Sequence, residues 1–366
     1  MTEHTDSAQI VESLRKGLPP QRGVRSYAVG NEKLLSGIER FHLSGVGERG
    51  IIRFINGSWG AGKTHFFRVL REVAFEHGCL VSNVELNVTD AALNKFEKVF
   101  YSIIRNMATP SHYRRDSGAA EAAPFGRVVE ESLRFLGGDG DLLGHEHHVR
   151  ASEALMSDRA IDIDFKKMIQ EYWKTYLSDS DDIASIEGRR QEIMQWFSGE
   201  GTVGMYRKQF GVAKLVNKDN SKLMLQSLAA FVRLSGYKGL VILFDEAEQA
   251  YSAMRSAALR DAHNNLLSLL NNIDSIPGLF LIYATTPDFY TDPKHGIVVY
   301  GALSGRIGRP EQRPPRAVDN VWNFDAIEED IEHYKEAALR IRDIYATTTV
   351  PLTITRNRVR RGTAII

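Results

Sequence analysis

Residues 57–64 constrain this chain more than any other part of its sequence. They read Gly-Ser-Trp-Gly-Ala-Gly-Lys-Thr and match the phosphate-loop pattern G-x-x-x-x-G-K-[ST] at every fixed position. A mainly apolar, β-branched run precedes them at 51–55, and Phe66, Leu70 and Val73 follow at helical spacing. A loop placed between a buried strand and a helix presents backbone N–H groups to a polyphosphate. The sequence therefore predicts a nucleoside-triphosphate site in an α/β fold.

The loop also carries two side chains with predicted roles of their own. Lys63 is expected to reach the β- and γ-phosphates, and the hydroxyl of Thr64 is expected to hold Mg²⁺. A Gly-rich turn without a ligand is the alternative. The predicted phosphate-binding residues are Gly57, Ser58, Trp59, Gly60, Ala61, Gly62, Lys63, Thr64 and His65.

A second motif ends in two acids. The continuous apolar run 240–244 has the pattern of a central parallel strand and is followed by Asp245 and Glu246. Ligands of open α/β sheets bind beyond the carboxyl ends of the strands, so Asp245 is expected to bind Mg²⁺ together with Thr64. Glu246 is the candidate to orient and deprotonate an attacking water. The alternative is a strand that ends in solvated acids.

A third apolar strand is predicted at 279–284, and it ends in Thr285, Thr286 and Pro287. The proline stops strand pairing and leaves two hydroxyls at the same sheet edge as Asp245. Either threonine is a catalytic candidate that would sense the γ-phosphate or position the water. Threonines that only satisfy a turn are the alternative for each of them.

The rest of the core is predicted from periodicity. Residues 80–86 alternate like a second strand, and a periodic helix is expected from Asp90 through Met107, closed by Pro110. The stretch from about 110 to 220 is mainly helical and contains no good strand candidate. We interpret it as a helical insertion between the second and third core strands.

Near the end of the chain, Asp325 is expected to cap a helix, with Glu328 at the capping-box position. Residues 346–366 have no helical period and include several arginines, which predicts a basic tail.

The sequence His145-Glu146-His147-His148 has the composition of a metal site. The zinc-binding pattern H-E-x-x-H would need a histidine where Val149 stands. We therefore interpret this segment as a solvated loop and expect no metal there.

Composition limits the classes of function. A chain of 366 residues with 43% hydrophobic content can bury a full core, as one large domain with an appendage or as two domains. Lys+Arg and Asp+Glu are equal at 46 each, so binding to nucleic acid or membrane would need a local patch. A single cysteine, Cys79, excludes intramolecular disulfides and favours a reducing compartment. With no long apolar run, the sequence predicts a cytoplasmic protein without membrane association.

In this order the motifs resemble the additional-strand P-loop ATPases, in the AAA+ branch near the origin-recognition ATPases. The segment 27–35 is similar to the stretch whose backbone holds the adenine in that group, which assigns Val29 and Gly30 to the adenine side. The resemblance implies a P-loop NTPase fold of AAA+/ASCE type, a parallel sheet flanked by helices, with ATP and Mg²⁺ as cofactors.

More narrowly, residues 55–67, 236–248 and 302–307 resemble the BrxC/BrxD ATPases of bacteriophage-exclusion (BREX) systems, and BrxD more than BrxC. The resemblance covers roughly residues 10 to 345. It implies an N-terminal and adenine-side region (1–50), an ATPase core with the insertion (51–310), and a partial helical lid with the basic tail (311–366).

The resemblance also assigns arginines. Arg306 falls where AAA+ proteins carry the arginine that reaches a neighbouring subunit's γ-phosphate, although a loop arginine paired with a surface acid is the alternative. Arg340 and Arg342 are both candidates for a lid arginine. Origin-recognition-like ATPases usually continue into a DNA-binding winged-helix domain, which here is either missing or reduced to the tail 346–366.

The expected function is Mg²⁺-dependent ATP hydrolysis by a homo-oligomer that works with other phage-defence proteins and on double-stranded DNA. A switch that holds ATP without hydrolysing it is the alternative. Glu246 favours hydrolysis, because a pure binder has no need of an acid that activates water. The same acid disfavours a small-molecule kinase, in which it would promote wasteful hydrolysis.

Overall fold

The architecture is built on a central sheet, seen in a computed structural model that describes residues 2–18, 20, 22–111, 124–138, 144–177, 182–328 and 330–348. Its strands are β1 (Ile51–Asn56), β2 (Leu80–Glu85), β3 (Met107–Ala108), β4 (Leu240–Asp245), β5 (Leu279–Thr285) and β6 (Val321–Asn323). They form one six-stranded sheet in the order β3-β2-β4-β5-β1-β6.

All neighbouring strands in the described sheet are parallel except β2 and β3, which pair antiparallel. Strand β5 lies between β1 and β4. The register pairs Asn56 with Thr285 and Glu85 with Asp245, so the carboxyl ends of four strands finish at one edge. The predicted α/β class, a largely parallel sheet flanked by helices, is confirmed.

Helices flank this sheet, and their bounds follow. They are α1 (Thr2–Arg15), α2 (Glu32–Ile38), α3 (Lys63–Glu76), α4 (Phe96–Arg105), α5 (Pro124–Gly137), α6 (His145–Ser157), α7 (Ile163–Lys174), α8 (Ile183–Phe197), α9 (Val203–Phe210), α10 (Ser221–Leu234), α11 (Ala247–Ser252), α12 (Ser256–Asn272), α13 (Pro287–Thr291), α14 (Gly301–Ile307) and α15 (Ile331–Thr348). Short 3₁₀ turns occur at Val24–Ser26, Ile273–Ser275, Ile297–Val299 and Phe324–Ala326, and a π-helical turn at Glu39–Leu43.

The two faces of the sheet bury separate cores because successive side chains of a strand point to opposite faces. In β1, Ile52 and Phe54 face one core, and Ile51 and Ile55 face the other. The first core includes the insertion helices α5–α9, and the second includes α1, α2 and α3. Both faces are therefore covered, as parallel sheets require, and the carboxyl edge remains for a ligand.

An aromatic cluster joins the insertion helices to one another and to Phe231 of α10. The ring of Phe125 in α5 lies 4.9 Å from that of Phe197 in α8, and Phe165 in α7 lies 5.1 Å from Phe197. Each contact is edge-to-face, the arrangement that the ring quadrupoles favour. The insertion is thus part of the main core and not a loosely attached module.

The predicted helix from Asp90 through Met107 was wrong at both ends. The Asn87 side chain accepts hydrogen bonds from the N–H groups of Thr89 and Asp90, at 2.8 and 2.6 Å, and holds the first part in a turn. The helix α4 then covers only the middle. Met107 and Ala108 instead pair with β2 and satisfy its otherwise open edge.

The expected solvated loop at 145–148 was also wrong, because these residues form the first turn of α6. His147 and His148 are buried, and Nε2 of His147 lies 3.0 Å from the carbonyl oxygen of Leu133. Packing, which local composition does not reveal, decides this position. Among the residues that the structure describes, no group of three His, Cys, Asp or Glu side chains forms a metal site.

The C-terminal part differs from the prediction as well. Asp325 lies in a 3₁₀ turn that follows β6, and the helix α15 starts later, where Asp330 accepts a hydrogen bond from the N–H of Glu332 at 2.8 Å. Asp325 is therefore not the helix cap. The basic tail beyond residue 348 lies outside the described residues. No helix within them is both long and apolar enough to cross a membrane.

Candidate functional site

The loop between β1 and α3 depends on glycine for two different reasons. Gly60 and Gly62 both have φ of 84°, a left-handed conformation that side chains disfavour, and a Cβ at either would meet nothing within 4 Å. At Gly57 the constraint is space, since a Cβ would lie 3.0 Å from Cβ of Ala61 and 3.2 Å from Cβ of Phe324. The loop is thus tight at its start and open around its middle.

Lys63 is the first residue of α3 and folds back over the loop. Its Nζ donates hydrogen bonds to the carbonyl oxygens of Gly57 and Ser58, at 2.6 and 3.1 Å. The Lys63 side chain is buried, whereas the neighbouring Trp59 is exposed, with its ring centre 6.0 Å from Nζ. The ammonium group is therefore held against the first half of the loop.

A hydrogen bond joins the loop helix to the acidic strand. The Thr64 hydroxyl donates to Oδ2 of Asp245 at 2.8 Å, which brings together the N-terminus of α3 and the carboxyl end of β4. Hydroxyl and carboxylate oxygens are ligands that Mg²⁺ accepts in proteins. The two residues predicted to bind the metal are adjacent in the structure, and their oxygens fit a hard divalent cation.

Glu246 has an unusual backbone. Its φ is 58°, and it is the one described residue other than glycine with a positive φ. Strain of this kind is concentrated at functional sites. Its N–H donates to Oδ1 of Asp245 at 3.0 Å. Burial raises the pKa of the Glu246 carboxyl, and the nearby charges of Asp245 and Glu85 raise it further, which strengthens it as a base.

The two threonines after β5 differ. The hydroxyl of Thr285 is fully buried, donates to the carbonyl oxygen of Ile55 at 2.7 Å and lies 3.1 Å from the Tyr290 hydroxyl. It therefore links β5 to β1 inside the sheet. The Thr286 hydroxyl has no hydrogen-bond partner in the part of the chain that the structure describes. Thr286 is also buried, but of the two candidates it is the one whose hydroxyl is unpaired among the described residues.

A cavity of about 200 Å³ lies against the first two turns of α3. Val29 and Leu35 line it together with His65 and Val69 of α3, and Arg340 closes it from α15. Burial lowers the pKa of His65, and the charge of Arg68 lowers it further, so this imidazole is neutral near pH 7. Its lining combines apolar side chains with polar and charged ones, including Arg25, Asn31 and Glu39, a mixture that can hold a polar heterocyclic base. Val29 thus lines the cavity beside the loop, and Gly30 follows it directly.

The backbone before this cavity is fixed by a residue that the sequence did not identify. Glu72 of α3 is buried, and its carboxylate accepts hydrogen bonds from the N–H groups of Val24 and Arg25, at 3.0 and 3.1 Å. An acid in the middle of a helix is usually exposed to solvent, so periodicity gave no signal for this contact.

The candidate arginines occupy different places. Arg340 Nη1 donates to the carbonyl oxygen of Ala28 at 2.7 Å, whereas Arg342 Nε donates to Oδ1 of its neighbour Asp343 at 2.8 Å. Of the two lid candidates, Arg340 is therefore the one at the cavity. Arg306 is exposed in α14 and has no ion-pair partner among the residues that the structure describes.

Asp325, predicted as a helix cap, instead contacts the phosphate loop. Its Oδ1 accepts from the Ser58 N–H at 2.8 Å, and its Oδ2 accepts from the Ser58 hydroxyl at 3.0 Å. The three-residue strand β6 that brings it there was not predicted, since a run this short has no detectable period.

Comparison with protein families matches residues 2–361 to the family described as BREX system ATP-binding protein BrxC/D. No curated protein and no solved structure matches the chain.

The contacts of Glu72 lead to a prediction that needs no ligand. Glu72→Ala removes both acceptors from the N–H groups of Val24 and Arg25. Hydrogen bonds to a charged group are strong, so we expect exchange of these amides to accelerate by about tenfold to a hundredfold. Glu76→Ala is the matched control, because Glu76 contacts the Arg25 side chain and not these amides. Unchanged protection in Glu72→Ala, measured by hydrogen exchange, would contradict the role of Glu72.

Proposed function

This chain belongs to the BrxC/BrxD family of BREX system ATP-binding proteins, and we propose that it hydrolyses the ATP that it binds. The observation that carries the proposal is the hydrogen bond between Thr64 and Asp245 at 2.8 Å. In this proposal the hydroxyl of Thr64 and the carboxylate of Asp245, which this bond joins, hold Mg²⁺ next to the phosphate loop and the strained Glu246. Resemblance of the segments 236–248 and 302–307 favours a BrxD-type member.

In this proposal the loop residues bind the phosphates. The left-handed Gly60 and Gly62 leave open space beside the loop, and the backbone N–H groups up to Thr64 donate to phosphate oxygens. Lys63 exchanges its two carbonyl partners for the β- and γ-phosphates. Mg²⁺, held by Thr64 and Asp245, supplies neutralisation of the phosphate charge. The base occupies the cavity beside Val29 and His65.

Glu246 supports hydrolysis over the alternative of a non-hydrolysing switch. It directly follows Asp245, the pKa of its carboxyl is raised, and its backbone has the strained conformation that is concentrated at functional sites. We assign to it the orientation and deprotonation of the attacking water. Thr286, with its free hydroxyl, is assigned to position that water or to contact the γ-phosphate, and Thr285 to stabilise the edge beneath it.

We further propose that the site is completed by a second copy of the chain. Exposed Arg306 has no intramolecular ion pair among the described residues, and its resemblance to the trans-acting arginine of AAA+ proteins supports a homo-oligomer. Other BREX components are the partners that family membership implies. Double-stranded DNA is the proposed nucleic-acid partner, and the cytoplasm the proposed compartment.

Replacing Glu246 separates binding from chemistry. Glu246→Gln keeps the size and hydrogen bonding of the side chain but removes the base, so Mg·ATP affinity should remain while turnover falls by about 10²- to 10⁴-fold. Single-turnover hydrolysis measures this. The matched control is Glu153→Gln, an exposed carboxylate on the insertion helix α6, which should hydrolyse normally. Wild-type turnover by Glu246→Gln would remove its catalytic role, and absence of turnover in the wild type would favour the switch.

Replacing Arg306 tests the shared site. Arg306→Ala should bind ATP normally but lose turnover by about 10³-fold, because a trans-acting arginine stabilises the transition state. Mixing it with Glu246→Gln should restore part of the activity, since some interfaces then combine an intact Glu246 with an intact Arg306. Arg309→Ala, also exposed, is the control. Normal turnover by Arg306→Ala, with activity per chain independent of concentration, would indicate a monomeric enzyme.

A further inference from the structure

The contact between β1 and β6 continues past the last residue of each strand. Nδ2 of Asn56 donates to Oδ1 of its register partner Asn323 at 2.8 Å. One residue further, a Cβ at Gly57 would lie 3.2 Å from Cβ of Phe324. The two chains therefore continue side by side into the phosphate loop.

Asp325 makes the next contact in this series. Its carboxylate takes both donors of Ser58, the N–H at 2.8 Å and the hydroxyl at 3.0 Å. The carbonyl oxygen of Ser58 accepts from Nζ of Lys63 at 3.1 Å. The N–H, the hydroxyl and the carbonyl oxygen of Ser58 therefore all have partners. Both Asp325 and Lys63 form hydrogen bonds with this one residue.

We propose that Asp325 is a positioning residue of the nucleotide site. It fixes Ser58 through the N–H and the hydroxyl, so that the first half of the loop has its shape before nucleotide binds. The inference rests on the proposed function. A preformed loop binds its ligand more tightly because less conformational entropy is lost on binding. Since Ser58 gives both donors to Asp325, the phosphates are bound by the later N–H groups of the loop.

The opposite role is physically reasonable and gives a different result. A carboxylate beside the loop also repels phosphate, so Asp325 would weaken binding if it had to leave Ser58 first. Under that alternative, removing the charge would tighten ATP binding. If Asp325 is a positioning residue, Asp325→Ala weakens ATP binding because Ser58 loses its acceptor. Asp325→Asn, whose amide keeps one acceptor oxygen, then retains most of the affinity.

Trp59 provides a readout that requires no nucleotide. It is 71% exposed and adjoins Ser58, whereas Trp173, Trp196 and Trp322 are each at most 1% exposed. Acrylamide quenching and time-resolved anisotropy of the free protein therefore report on the loop, with Trp59→Phe as the background. In Asp325→Ala we expect faster local motion of Trp59. Asp330→Ala, which removes an exposed helix cap without touching the loop, should leave it unchanged.

Calorimetric titration with Mg·ATP completes the test. We expect Asp325→Ala to raise Kd about tenfold and Asp325→Asn to stay within about threefold of the wild type, with kcat at saturation little changed. Equal or tighter binding by Asp325→Ala, or unchanged motion of Trp59, would overturn the proposal. If the wild type binds no Mg·ATP while Asp325→Ala still mobilises Trp59, the proposed function fails and Asp325 nevertheless holds the loop.

Discussion

The hydrogen bond between Thr64 and Asp245 is the contact on which the rest of the site depends. It spans 2.8 Å, yet its partners are 181 residues apart in the chain. The sheet brings them together. Strand β1 leads into the loop and Thr64, strand β4 ends in Asp245, and both strands lie beside β5 and end at the same edge. The loop, the oxygens of Thr64 and Asp245, and Glu246 take their places from this arrangement of strands.

The remaining contacts fix segments that the sheet itself does not hold. Glu72 attaches the backbone before the cavity to α3, and Arg340 attaches the same region to α15. Asp325, in the turn directly after β6, attaches that strand to the loop. Each uses a charged side chain and a backbone group, and such bonds are stronger than neutral ones. One helix, α3, thus contacts Asp245 through Thr64 in its first turn and the segment 24–25 through its buried Glu72.

The sequence predicted features that depend on local interactions and missed those that depend on contacts between distant parts of the chain. The loop glycines, Lys63 and the acids after β4 lie in short patterns whose spacing is set by local geometry, and their positions agree with the fold. Asp325 satisfied a local capping pattern equally well, but a partner 267 residues away determines its place. Glu72, whose contact spans 48 residues, gave no local signal. The early end of the predicted helix at 90–107 has the same cause, since pairing with β2 takes Met107 out of it.

The most direct test of the central claim is calorimetric titration of Mg·ATP into the wild-type chain and Lys63→Ala in parallel. A buried ammonium that meets the phosphates contributes a charge-assisted contact, so the account predicts saturable one-site binding by the wild type and at least about a hundredfold weaker binding by the variant. Equal affinity of the two proteins for Mg·ATP would show that the nucleotide binds elsewhere, and would contradict the assignment of the loop as its site.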